Sequence, residues 1–133
     1  MYYVILQRNL MDKQNALQLL KQWAIDRGIN SQPPNPAAFT VNIVEELAEL
    51  NEASKKSDWN GMIDAIADIM VFCSSELTQY QLDAEEVLLE THREINSRIG
   101  AWSQEYGKWM KDTSPEAKAN WYSADYTRLL GKE

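Results

Sequence analysis

Val44-Glu45-Glu46-Leu47-Ala48-Glu49-Leu50 and, beyond the break Ser57-Asp58-Trp59-Asn60-Gly61, Ile63-Asp64-Ala65-Ile66-Ala67-Asp68-Ile69-Met70-Val71-Phe72 decide how this chain folds. Around the first stretch, Phe39, Ile43, Leu47 and Leu50 recur at helical spacing while Glu45, Glu46, Glu49 and Glu52 take another face. That pattern predicts an amphipathic helix from about Ala37 to Lys56. In the second stretch Ile63, Ile66, Met70 and Leu77 form one stripe, which predicts a helix from about Met62 to Tyr80 with that stripe in the core. The break is short, so the two helices are expected to lie side by side and antiparallel.

Working outward, Leu10, Leu17, Leu20 and Ala24 predict an earlier helix over Met11 to Arg27, with Asp12 as N-cap and Gly28 as the stop. Three of the four prolines fall in Gln32-Pro33-Pro34-Asn35-Pro36, a connector that cannot be helical. On the other side, Asp83 and Glu86 mark the start of a fourth helix, and Val87, Leu88, Ile95 and Ile99 carry it to Gly100. The expected fold is therefore all-α and four-helix-bundle-like. After Gly100, Trp102, Tyr106, Trp109, Trp121, Tyr122 and Tyr126 alternate with Lys108, Lys111, Lys118 and Arg128, read as an irregular aromatic arm with one short helix after Ser114-Pro115.

The whole composition agrees with a helical reading. A chain of 133 residues predicts a single domain, 1–133, with a helical core over about 11–100 and the arm over 101–133. Hydrophobic residues at 44% with 25% charged exclude extended disorder, and only 5 glycines and 4 prolines disfavour a turn-rich β fold. The lone Cys73 cannot close an intramolecular disulfide, and no apolar run approaches the roughly 20 residues of a membrane span. Cytoplasmic localisation and no membrane partner are the expectations.

Charge is concentrated in the middle of the chain. From Glu45 to Glu90 there are twelve acids against Lys55 and Lys56, a balance of −10 within a whole-chain charge of −7. Such a segment repels a polyphosphate backbone, so a nucleic-acid polymer is not an expected partner. Glu45, Glu46 and Glu49 lie within a turn of one another, as do Asp64 and Asp68. Acids on a soluble helix are usually solvated surface. Two acidic edges facing each other across a helix pair, however, repel unless a cation intervenes, and Mg²⁺ takes carboxylate oxygens together with substrate phosphate oxygens. A di-iron bundle is excluded, because it needs two Glu-x-x-His motifs and the chain has one histidine.

The two acidic helices resemble the all-α nucleoside triphosphate pyrophosphatases, the superfamily of MazG, dimeric dUTPase and phosphoribosyl-ATP pyrophosphohydrolase. The likeness is strongest over residues 39–100. It implies Mg²⁺, with Mn²⁺ as an alternative, and hydrolysis of a nucleoside triphosphate, a dNTP or modified nucleotide, to the monophosphate and pyrophosphate. House-cleaning of damaged nucleotides and control of the nucleotide pool are the two roles that go with it. By the resemblance Glu46, Glu49 and Asp68 are metal ligands, and Glu45 is a ligand or orients the attacking water. The second motif's glutamate falls on Ala65, so Asp64 is the candidate substitute ligand. The segment with Asn96 and Arg98 is similar to the Asn-x-x-Lys segment that holds substrate in related enzymes, with Arg98 one residue short of the basic position, and Lys108, Trp109 and Lys111 combine cations with an aromatic face suited to phosphates and a base. The resemblance also implies a homodimer or homotetramer. The competing reading is a non-catalytic acidic helical module that docks a protein partner through exposed aromatics.

Overall fold

The computed structural model describes residues 16–131, which form two compact units, one ending at Ala84 and one beginning at Glu85. It is predominantly helical, as expected for an all-α chain. The first unit contains α1 (Ala16–Asp26), a 3-10 turn (Ile29–Ser31), α2 (Pro36–Lys55) and α3 (Trp59–Gln79). The second takes in most of α4 (Ala84–Asn96), a hairpin of β1 (Gly100–Ser103) and β2 (Lys108–Lys111), α5 (Pro115–Lys118) and a 3-10 turn (Thr127–Leu129). The expected start of the first helix, with its Asp12 cap, lies outside the described residues.

Local chemistry explains each boundary. Gly28 follows α1 in the left-handed region, φ 72°, where a side chain is disfavoured. Asn35 caps α2 by accepting the Ala38 N–H at 3.1 Å, and Pro36 brings a preset φ to the first helical position. The end of α2 turns through Ser57, φ 53°, and Asp58 donates its N–H to the Ala53 carbonyl at 2.9 Å. The same Asp58 caps α3, its side chain accepting the Gly61 N–H at 3.0 Å. One residue thus closes one helix and opens the next. Position 61 has to be glycine for this: a Cβ there would stand 2.5 Å from Asp58 Oδ2 and 3.1 Å from Ala53 Cβ.

α2 and α3 pack along their length and run antiparallel, with Ala53 beside Gly61 at one end and Asn35–Asn42 beside Val71–Gln79 at the other. Gln81 donates to the Asn30 carbonyl at 2.7 Å, and Gln79 to that of Pro33 at 3.3 Å, so the proline connector is held against the end of α3. Lys21 of α1 pairs with Asp83 at 3.6 Å.

The expected core stripe requires correction. Ile63, Ile66 and Met70 are 64%, 49% and 62% exposed, whereas the buried ones among the described residues of this unit are Ala24, Ala53, Ala65, Ser74, Thr78 and Ala84. The helices approach through small side chains, and Ala65 at the contact displaces the large apolar residues to a neighbouring face. Leu47 of α2, also 50% exposed, is left outside for the same reason.

In the second unit α4 ends at Asn96 instead of running to Gly100. Ser97 Oγ donates to the Glu94 carbonyl at 2.7 Å and accepts the Tyr122 N–H at 2.8 Å, which ties off the last turn. The arm is not irregular over its first part. β1 and β2 pair antiparallel with Trp102 opposite Trp109, and Gly107, φ 62°, completes the turn. A Cβ at Gly100 would fall 2.1 Å from the Met110 carbonyl oxygen, so the strands close only with glycine there. The short helix after Ser114-Pro115 is present, capped by Ser114 accepting the Ala117 N–H at 3.2 Å.

Glu90 organises this unit. It is 2% exposed and accepts hydrogen bonds from the Tyr122 hydroxyl, the Arg128 guanidinium and, at 3.1 Å, the Asp125 N–H. The Tyr122 hydrogen bond, then the Asp125 N–H and Arg128, pull its carboxyl down to about 2, against the opposing pull of burial. No described helix is long and apolar enough to cross a membrane.

Candidate functional site

Asn42, Glu46, Glu49 and Ala53 recur along the side of α2 that meets α3, and Gly61, Ala65, Asp68, Phe72 and Glu76 along the facing side of α3. This register brings Glu46 into electrostatic reach of Glu49, Asp68 and Asp64. Glu46 is half-buried, and its Oε2 is sealed from solvent with no hydrogen-bond partner. Burial first, and then the charges of Glu49, Asp68 and Asp64, push its carboxyl above the ordinary carboxylate range; a hydrogen bond between the protonated acid and Glu49 acts in the same direction. In the absence of a cation this group therefore holds its proton more tightly than a free glutamate does.

Asp68 is half-buried, while Glu45, Glu49 and Asp64 are exposed. Glu45 is not among the charges that raise Glu46. Ala65 is 1% exposed and occupies the helix contact itself, so Asp64 stands on the flank of the groove and not in its floor. Of the charges acting on Glu46, that of Asp64 is the smallest.

Among the described residues no three His, Cys, Asp or Glu side chains are gathered into a group that by itself holds a metal ion. Mutual repulsion favours such spacing in four uncompensated carboxylates. The chemistry of the donors nevertheless fits a hard divalent cation. They are all oxygen, one of them is buried without a donor, and Mg²⁺ characteristically takes one or two carboxylates and completes its shell with water and phosphate oxygens.

The same groove continues toward the start of α2 as a cavity of about 250 Å³ lined by Trp23, Phe39, Asn42, Phe72, Glu76 and Gln79, among others. Sequence reasoning missed Glu76, although it stands two turns beyond Asp68 on one face of α3. Its Oε1, like Glu46 Oε2, is buried without a hydrogen-bond partner.

The remaining sequence candidates lie in the second unit. Asn96 and Trp109 line a shallow cavity with His92 and Ile95, and Lys108, Trp109 and Lys111 line another. Arg98 pairs with Glu94 at 3.2 Å and sits 4.8 Å from the Trp121 ring centroid. Lys111 and Lys118 approach the same indole at 5.1 and 5.8 Å. Trp121 thus collects three cations, a role that its spacing in the sequence did not signal.

Residues 24–94 match the family model described as phosphoribosyl-ATP pyrophosphohydrolase (PRA-PH). The match covers more than half of the chain, contains both acidic helices, and stops short of Asn96, Arg98 and the hairpin. No curated protein and no solved structure matches the chain.

Proposed function

Because the chain belongs to the phosphoribosyl-ATP pyrophosphohydrolase family, and is thereby a hydrolase of the pyrophosphohydrolase type acting on a nucleotide, we propose that it cleaves the α–β phosphoanhydride of a nucleoside triphosphate, a dNTP or modified nucleotide. The products are the monophosphate and pyrophosphate. The observation that carries this reading is the sealed, donorless Glu46 Oε2 among Glu49, Asp68 and Asp64, inside the matched region.

In this reading Glu46, Glu49 and Asp68 hold Mg²⁺ or Mn²⁺, and Asp64 supports them from the flank in place of the acid missing at Ala65. The bound cation supplies charge neutralisation for the phosphates and acidifies a water. A cation there would favour the ionised Glu46 carboxylate, against the burial and neighbouring charges that raise its proton affinity. Glu45, exposed beside the ligand set, orients the water or completes the shell. The acidic groove by itself repels a triphosphate, which makes substrate binding depend on the cation. Substrate-binding roles are proposed separately for Asn96, Arg98, Lys108, Trp109 and Lys111 of the second unit.

We extend the proposal to assembly and location. Val44 and Leu47 of α2 and Ile63, Ile66 and Met70 of α3 are each at least 49% exposed, an apolar surface that a second copy of the chain would cover in a dimer or tetramer. The cytoplasm, which holds nucleotides and keeps a single thiol reduced, is the compartment that fits.

The direct test is product identity. With a nucleoside triphosphate and Mg²⁺, a colorimetric phosphate signal is expected only after inorganic pyrophosphatase is added. Release of orthophosphate without that addition contradicts the proposal.

A further inference from the structure

The α2–α3 groove holds a second donorless carboxyl oxygen. Glu76 Oε1 is buried and has no hydrogen-bond partner, and Glu76 lines the cavity walled by Trp23, Phe39 and Phe72 with Asn42 beside them. A buried acceptor left unpaired is unfavourable, so a partner that brings a donor gains what the empty cavity lacks. Three aromatic walls with a few polar groups are the lining of a site for a flat ring, and at about 250 Å³ the cavity is somewhat smaller than the roughly 300 Å³ at which drug-sized ligand sites begin.

Its position relative to the carboxylates adds the rest. Asn42 lies one helical turn before Glu46, and Phe72 and Glu76 lie one and two turns after Asp68. Eight residues of helix rise about 12 Å. That is the reach of a nucleoside monophosphate from its phosphate to the far edge of its base. A phosphate near Asp68 and a ring between Phe39 and Phe72 are therefore compatible in one molecule.

We propose that this cavity receives the base of the substrate and that Glu76 selects bases carrying an exocyclic amino group. The proposal rests on the nucleotide pyrophosphohydrolase reading and deepens it. An ionised carboxylate only accepts hydrogen bonds. The amino group of cytosine or adenine donates to it, whereas the carbonyl oxygen at the same ring position of uracil or hypoxanthine meets it lone pair to lone pair. Sites that leave a buried polar group unpaired by the wrong substrate discriminate strongly, in contrast to apolar pockets that only sense size.

The test compares amino and keto partners of the same ring: dCTP with dUTP, and dATP with dITP, at one Mg²⁺ concentration. The amino partner of each pair is expected to have a kcat/KM at least about tenfold higher. In Glu76→Gln, an isosteric change that offers both a donor and an acceptor, the ratio is expected to fall below about threefold. Equal efficiencies within the pairs, or a Glu76→Gln protein that keeps the parent's ratio, overturn the proposal. Calorimetric binding of dCMP and dUMP to the unmodified protein separates this claim from the catalytic one, since it needs no turnover. Tighter binding of dCMP by about tenfold sustains the base site even if no triphosphate is hydrolysed, and equal binding, or no binding of either, overturns it.

Discussion

Glu90 of α4 accepts the hydrogen of the Tyr122 hydroxyl, and the same hydroxyl accepts a hydrogen bond from Arg93 Nη1 at 3.2 Å. With Arg128 and the Asp125 N–H on the same carboxylate, the last turns of the second unit are anchored on one buried acid. The Arg93 guanidinium also lies 3.9 Å from the Tyr122 ring centroid, so the aromatic is held from its face as well as through its hydroxyl.

This anchor sets an acid limit. The Glu90 carboxyl titrates near 2 in the folded chain against an ordinary value of 4.5, chiefly because of Tyr122. A depressed folded value means that the stabilisation is complete above about 4.5 and is lost as pH falls from there toward 2. Near-ultraviolet circular dichroism of the aromatic residues is expected to lose intensity through that window. Tyr122→Phe removes the leading contribution, so its loss should begin at higher pH than in the parent. An unchanged acid midpoint in Tyr122→Phe would contradict the assignment.

The carboxylate groove makes an opposite prediction about stability. Glu46→Gln, Glu49→Gln and Asp68→Asn each remove one of several mutually repelling charges while keeping shape. In EDTA at pH 7.5 each variant should melt no lower than the parent, and the Mg²⁺-induced rise in Tm should shrink or vanish. Turnover should be abolished in Glu49→Gln and Asp68→Asn. Asp64→Asn should lose at least about tenfold, the scale of a lost metal or supporting contact. A variant that melts well below the parent in EDTA would mean that these acids support the fold itself.

The bounds of α2 were legible because the prolines before it and the break after Lys56 are strong local signals, whereas α3 begins at Trp59 and not at Met62, because Asp58 caps the Gly61 N–H and draws Trp59-Asn60-Gly61 of the expected break into the helix. The acidic edges were legible as well, since a helix converts spacing into a face without help from tertiary structure. Burial was not. Which stripe of α3 meets α2 depends on how closely the backbones approach, and Ala65 and Ala53 permit a contact that leaves Ile63 and Met70 outside. The hairpin was missed for a different reason. Glu105-Tyr106-Gly107 between Trp102-Ser103 and Lys108-Trp109 is a turn signal, but strands of four residues each carry too little alternation to stand out from an aromatic-rich arm. Glu76 and Trp121 owe their surroundings to residues distant in the sequence, and no local pattern marks them.

The exposed apolar surface predicts association. Ile63 and Met70 are more than 60% exposed, and a monomer would leave them in water. Light scattering across the micromolar range should give a mass of two or four chains. Ile63→Glu with Met70→Glu, which places charges on that surface, should shift the mass toward one chain while the helical circular dichroism persists. A parent of one chain mass throughout the range would remove the assembly proposal and leave the α2–α3 groove to act within a single chain.

In the proposed reaction, water attacks the α-phosphorus of a nucleotide held at the α2–α3 carboxylates. Hydrolysis of a nucleoside triphosphate in ¹⁸O-labelled water, read by mass spectrometry of both products, tests it most directly. One ¹⁸O atom is expected in the nucleoside monophosphate, none in the pyrophosphate, and no labelled product from Asp68→Asn. Label in the pyrophosphate, or in orthophosphate released from the γ position, would contradict it.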